Sequence, residues 1–271
     1  MTTSITNVSQ PEKGVKRQKL RRGVLRVTLA LAFIAPLTFI VAAIGYKLGV
    51  FGLGTSFGLL NMKVGPILLI AAGIAGLISL VLAFTIQPRR GFVVGALALL
   101  IGGFGMGKLG ATKAKVESLP FIHDITTDTQ NPPMFTDAIL KLRGSTSNPS
   151  NYVGKKDSRD KKLVSVLQTK AFPAVRPLIL EDDPAAVFGK AELVASQLGW
   201  ELVNVDAEAG IIEATDTTFW YGFKDDVIIR IKPSEGGGSV VDARSLSRIG
   251  GSDIGKNAER VKDFLERLNA A

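Results

Sequence analysis

The chain contains no cysteine. Disulfides, thiolate nucleophiles and cysteine-ligated zinc are therefore excluded. Histidine occurs once, as His123, too few for a histidine-built metal or relay site. Acids are almost missing from the first part of the chain. Residues 1–115 hold one, Glu12, against fourteen Lys and Arg. The net charge of +9 belongs to that part, and residues 116–271 are net acidic. The later part therefore offers no basic stripe for neutralising phosphates, and no nucleic-acid partner is expected. No cofactor motif is present, so neither a cofactor nor a metal is expected.

What the first part has instead is apolar length. Residues 27–46, "VTLALAFIAPLTFIVAAIGY", carry no charge and would make a helix of about 30 Å, the thickness of a bilayer core. A cleaved signal peptide has a shorter apolar region, and further apolar runs follow, so a retained span is the reading. Residues 64–86 form a second span and the glycine-rich residues 91–107 a third. The "QPRR" joint between them forces an antiparallel hairpin. No Asp, Glu or His falls inside any span, which argues against an ion or proton pathway. Gly73, Gly76, Gly102, Gly103, Gly105 and Gly107 suit close helix packing, but ordinary glycine enrichment of membrane helices accounts for them. The apolar loop 47–63 suits an interfacial or re-entrant position.

The chain thus divides into a basic, unstructured cytoplasmic arm (1–26), a membrane domain (27–108), a linker (109–119) and a folded domain (120–271). Basic residues favour the cytoplasmic side. The dense arm sets the N-terminus there, Arg89 and Arg90 return to the same side, and everything after Lys108 lies outside. The expectation is a multi-pass protein of the inner (cell) membrane with a periplasmic or extracellular domain, its partners being the lipid bilayer and an envelope protein, lipid or glycan.

Residues 120–170 are polar and turn-rich, with one short helix in "MFTDAILKL". Beyond 171 the periodicities are clear. "AVRPLIL" reads as a strand. "EDDPAAVFGKAELVASQLG" reads as a helix capped by Asp182 or Asp183, with Pro184 in its first turn. "WELVNVDA", "IIEATDTT", "FWYGFKDDVIIRIKP" and "SVVDARSLSRI" read as strands. Residues 253–268 form a last amphipathic helix with Ser252 as N-cap. The fold class is α+β: three N-terminal transmembrane helices, then a domain with an antiparallel sheet and helices packed on one face.

Three stretches, "IHDITTDTQNPPMF", "GWELVNVDAEAGIIEATDTTFWYGFKDDVIIRI" and "GSVVDARSLSRIGGSDIGKNAERVKDFL", together resemble the uncharacterised family called domain of unknown function 1499. The likeness covers about residues 118–268 and includes the ordered pattern RSxSRxGxSDxGxNAxR. It implies an envelope-associated, often membrane-linked module with no established activity. More distantly, a helix followed by "GWELVNVDAEAGIIEA" resembles the helix-grip modules of outer-membrane assembly lipoproteins, an analogy of fold alone.

Two readings compete for the candidate residues. In the first, favoured here, the domain is a non-enzymatic envelope-binding module. Asp124 and Asp128 then belong to a strap held down by arginines, chiefly Arg244 and Arg248, with Asp225 and Asp226 of the sheet as alternative partners for the same arginines. Arg244, Arg248, Trp220 and Lys224 are its candidate binding residues, and the aromatic cluster 219–223 is either core or a surface for peptide, glycan or lipid. In the second, the domain is a hydrolase-like enzyme whose catalytic candidates are His123, Asp124 and Asp128, with Arg248 in support. A strand would put both aspartates on one face and His123 on the other. No G-x-S-x-G elbow is present.

Overall fold

The structure is a computed structural model that describes residues 9–271, with side chains from residue 12 onward. Residues 1–8 of the expected arm lie outside the described residues. Two compact units meet in the chain between Lys113 and Ala114.

The first unit is helical: α1 (Ser9–Lys47), a π-helical segment (Gly54–Val64), α2 (Gly65–Thr85) and the start of α3 (Phe92–Ser118). Three helices are long and apolar enough to cross a membrane. All three run further than the apolar runs suggested. The basic arm is helical from Ser9, because its Lys, Arg, Gln and Leu residues are good helix formers. Buried Arg21 also ties it down, donating to the carbonyls of Ile86 and Pro88. The expected linker is likewise helical as far as Ser118. The 47–63 loop winds into helix from Gly54 and continues into α2. Pro66 has no N–H to give that ladder, and the bond at the junction runs from Gly65 N–H to Leu60, five residues back.

Helices α1 and α2 are antiparallel. Thr28 Oγ1 and Ser79 Oγ, both fully buried, share a hydrogen bond of 2.8 Å. Between α2 and α3 the glycines do more than enrich the sequence. A Cβ on Gly76 would lie 2.6 Å from the Leu99 nitrogen, and one on Gly102 would lie 2.7 Å from the Leu69 carbonyl oxygen. Backbones at that distance exclude any side chain, so these positions correct the expectation of ordinary glycine enrichment.

The second unit is an antiparallel six-stranded sheet with flanking helices. In chain order the elements are β1 (Asp124–Thr126), α4 (Asp137–Arg143), α5 (Val164–Ala171), β2 (Leu178–Leu180), α6 (Pro184–Gln197), β3 (Glu201–Asp206), β4 (Ile211–Thr217), β5 (Lys224–Pro233), β6 (Ser239–Ser247) and α7 (Lys256–Ala270). The strand order is β1-β6-β5-β4-β3, and β2 pairs with β6 beyond the end of β1. Helix α6 starts where expected, with the Asp183 carboxylate accepting from the Ala185 N–H. Helices α6 and α7 cover one face through Val187, Ala191, Val194, Val261, Phe264 and Leu268, set against Ile212, Val227, Ile229 and Ala243.

Four details differ from the sequence reading. The stretch 120–170 contains β1 and α5 as well as α4, and α4 lies on the sheet face opposite α6 and α7, where Phe135 and Ile139 pack on Ile228 and Leu246. Residues 218–223 are a turn rather than strand. Gly222, at φ +67°, and the Thr218 hydroxyl, which accepts from the Phe223 N–H at 2.9 Å, close it. Helix α7 begins at Lys256, after Gly255 at φ +80°. Its first-turn donor is met by Asp253, which accepts from Asn257 N–H at 2.8 Å, so Ser252 is not the N-cap.

Candidate functional site

Side chains at even positions of β5 and β6 point to the sheet face opposite α6 and α7, and this face is ionic. Arg244 is fully buried. Its Nε and Nη2 grip both oxygens of Asp124 at 2.9 and 3.0 Å. Its remaining donors reach the Pro133 and Ser150 carbonyls, and the rings of Phe135 and Tyr152 flank it. Lys155 adds a third cation-side donor to Asp124 at 2.9 Å. The strap reading is therefore right for Asp124 and Arg244, which pairing across β1 and β6 brings together.

Arg248 goes elsewhere. It forks onto Asp226 of β5, with Nη2 to Oδ1 at 2.7 Å. Asp226 also receives Arg143 at 2.6 Å and the Thr215 hydroxyl at 2.8 Å. Arg248 Nη1 donates to the Leu142 carbonyl of α4 at 3.0 Å, so Arg248 ties α4 to β5 and does not hold the strap. Asp128 turns back on its own loop and accepts from the N–H groups of Gln130 and Asn131. Its nearest cation is Arg230, at 3.5 Å, and that arginine is held mainly by Asp242 at 2.7 Å.

Asp124 and His123 are neighbours in sequence with opposite surroundings. The imidazole lies on the α7 side, with Nδ1 3.2 Å from the Gly251 carbonyl. A carbonyl only accepts, so Nδ1 carries the proton and Nε2 is the basic nitrogen. Nε2 is buried with no hydrogen-bond partner. Burial first, then the Lys155 charge, hold the imidazole pKa below its ordinary 6.5. His123 is thus a neutral, inward-facing ring, and the structure does not bring it together with Asp124 or Asp128. Among the described residues, no group of three or more His, Cys, Asp or Glu is placed to hold a metal.

Two linking residues carry no distinguishing pattern in the sequence. Asn257, fully buried, bridges the Ser245 and Ser247 hydroxyls and the His123 carbonyl. Gln168 behaves like an extra strand on the edge of β1, accepting from Thr126 N–H at 3.0 Å and donating to its carbonyl at 2.6 Å. An Asn within "KNAER" and a Gln within "VLQTK" look like surface residues, and only tertiary contact reveals them. Arg260 completes the set by pairing with Asp216 and Asp225 at 2.7 Å.

Two candidates remain on the surface. Trp220 is 58% exposed at the turn between β4 and β5, and Lys224 is exposed at the start of β5. Beside this end of the sheet is a shallow cleft lined by Trp200, Asp216, Lys256, Glu259, Arg260 and Asp263. Its charges are largely paired with one another.

No curated protein matches the chain. Residues 124–268 match the family described as "Protein of unknown function (DUF1499)". That stretch is more than half of the chain and takes in the whole sheet with its ion pairs, so the protein belongs to the DUF1499 family.

Proposed function

We propose that the protein is a membrane-anchored binding module of the cell envelope rather than an enzyme. In this reading it is a multi-pass protein of the inner (cell) membrane, with the arm 1–26 cytoplasmic, the membrane domain 27–108, the linker 109–119 and the domain 120–271 outside. That domain meets an envelope protein, lipid or glycan through the sheet end bearing Trp220 and Lys224.

One observation carries the reading. The side chains that would perform chemistry are consumed internally: Asp124 by Arg244 and Lys155, and Asp226 by Arg143 and Arg248. His123 Nε2 is sealed from solvent with no nucleophile beside it. A general base needs a proton within reach of its free nitrogen, and this one faces none. What stays available is exposed aromatic and cationic surface at one sheet end.

A photo-crosslinking residue at Lys224 tests the reading in intact cells. Adducts are expected there and not at Lys232, which is exposed at the other end of the same strand. Absence of adducts at Lys224 removes this contact surface. The hydrolase alternative is checked on the purified full chain with ester, phosphoester and glycoside substrates. Hydrolysis that disappears in a folded His123→Ala variant would replace the binding reading with the enzymatic one.

A further inference from the structure

The turn at 218–223 is chemically unlike the other turns of its sheet. Hairpin turns are ordinarily polar, because Gly, Asn, Asp and Ser meet their backbone demands. The β3–β4 turn (Asp206 to Gly210) and the β5–β6 turn (Ser234 to Gly238) follow that habit and hold no aromatic residue. The β4–β5 turn holds Phe219, Trp220, Tyr221 and Phe223. Phe219 is 76% exposed and Trp220 is 58% exposed. Turn closure does not call for them. The Thr218 N–H donates to the Phe223 carbonyl, the Gly222 N–H to the Thr218 carbonyl, and the Phe223 N–H to the Thr218 hydroxyl, each at 2.9 Å. The rings stand as two compact pairs, Phe219 edge-on to Trp220 at 5.3 Å and Tyr221 stacked on Phe223 at 5.0 Å. Two large rings held this far into water at a tip are a contact surface.

The sheet register indicates what that surface meets. Asp124 pairs with Leu246, Asp225 with Ser247, and Thr217 with Lys224. The start of β1, the end of β6, the start of β5 and the end of β4 therefore lie at one end of the sheet. The chain enters the domain at that end, and the aromatic turn projects from it. The polar turns at 206–210 and 234–238 lie at the opposite end, with Asp206, Glu208 and Glu235.

The tether is also short. The last apolar helix, α3, continues unbroken to Ser118. Past the final apolar run only residues 108–118 remain before Leu119. Leu119, Phe121 and Ile122 are then packed down: Ile122 is 2% exposed, and Leu119 and Phe121 lie close against Gly255 and Gly251. A domain leashed this tightly sees the bilayer at high effective concentration, so a small aromatic contact is enough to hold it.

We infer that the Thr218–Phe223 turn is an interfacial anchor that seats Phe219 and Trp220 in the headgroup region of the bilayer. Trp and Tyr favour that layer because their rings are apolar and their N–H and O–H groups are polar. Exposed Lys224, directly after the turn, suits lipid phosphate. The inference rests on the proposal that this end of the sheet is the contact surface, and it names the bilayer as what is contacted.

The chain has two tryptophans, and Trp200 is buried against Phe264. In a Trp200→Phe variant of the full chain, Trp220 is the only tryptophan reporter. Should that variant fold poorly, the difference between the wild type and Trp220→Phe gives the same signal. The chain is reconstituted into phosphatidylcholine vesicles, with and without lipid spin-labelled near the top of its acyl chain. Trp220 emission is expected to shift to the blue relative to detergent-free aqueous tryptophan, to be quenched by the spin-labelled lipid and to resist aqueous iodide. Trp200, read in Trp220→Phe, is expected to be unaffected by the lipid label. Trp220 that iodide quenches and the lipid label does not overturns the anchor. Trp220 that neither quenches also overturns it, because protein then covers the turn. In both cases the Lys224 crosslinks decide separately whether the binding reading survives.

Discussion

Arg244 shows how an ionic group can be used as a structural part. A guanidinium with no exposure loses its hydration, and such a pair adds little net stability over a well-packed apolar one. Removing one partner is different, because it strands a charge. Asp124→Asn in the full chain is expected to destabilise the domain by about 3 kcal/mol, and Arg244→Met by more, because the Pro133 and Ser150 carbonyls also lose their donor. Denaturant unfolding followed on buried Trp200 reads both, and a double-mutant cycle should return coupling above about 1 kcal/mol. Asp128→Asn, at a partly exposed site 3.5 Å from Arg230, should cost under about 1 kcal/mol. Wild-type stability in Asp124→Asn would mean that Arg244 is satisfied without it. Two half-buried groups make stability depend on pH with opposite signs. The His123 pKa lies below its ordinary value of 6.5, chiefly from burial, so its contribution is present above about 6.5 and lost as pH falls through the folded value. Asp253 is pushed up to about 6, again chiefly by burial. Its contribution is full below the ordinary carboxylate value of about 3.9 and lost as pH rises through 6. Comparing unfolding midpoints at pH 7 and pH 5, His123→Asn should gain on acidification relative to wild type, and Asp253→Asn should lose. If both variants track the wild type, neither group titrates in that window.

At the scale of elements, the membrane unit depends on close helix contact. Gly102 sits against Leu69 and Gly73, where a Cβ would fall within 2.8 Å of backbone atoms, while Gly103, its neighbour on the same helix, has nothing within 4 Å. Gly102→Val is therefore expected to push α3 off α2 and lower the thermal midpoint of the full chain in detergent. Gly103→Val should behave as wild type. Equal effects from the two would show that helix propensity, and not the contact, is what matters. The sequence makes the three spans plain because an uninterrupted apolar run has few other uses. It does not mark which glycines touch, since that depends on how two helices are rotated against each other. Helix α6 and strands β3, β4 and β6 were legible from caps and alternation. The three-residue strand β1 was too short to show a period, whereas β2 lies within the stretch 174–180 that reads as a strand, and each exists because β6 offers it an edge. The aromatic run 219–223 has strand-like composition, yet Gly222 and Thr218 make it a turn. Of the candidate site, Asp124 with Arg244 could be read from complementary charge. For Arg248 the charge pattern narrows the partner only to Asp124, Asp128, Asp225 or Asp226, and the cross-strand register singles out Asp226. The pattern RSxSRxGxSDxGxNAxR now has a physical sense. Arg244 holds the strap and Arg248 ties Asp226 of β5 to α4, while Ser245, Ser247, Asn257 and Arg260 knit β6 to α7. Gly250 and Gly255 take positive φ in the loop between them.

At the scale of the whole chain, the contacts inside the membrane unit bear on topology. Arg21 of α1 donates to Ile86 and Pro88, beside Arg89 and Arg90. The basic start of α1 and the joint between α2 and α3 therefore lie at one end of that helical unit, as a common side of the bilayer requires. Positive residues gathered on one side favour retention in the cytoplasm. In the proposed topology, with an odd number of spans, the residues after α3 emerge on the other side. Lys108, Lys113 and Lys115 oppose this only weakly, being fewer than the cations between Lys13 and Arg26. A phosphatase that folds only outside the cytoplasm, fused after Ala271, is expected to be active, and a fluorescent protein that folds only inside it should be dark there. The same reporters inserted between Arg89 and Arg90 should give the reverse. Fluorescence at Ala271 with activity at the 89–90 joint would invert the protein in its membrane. The aromatic turn and Lys224 would then face the cytoplasmic leaflet, and the partner would have to be sought on that side.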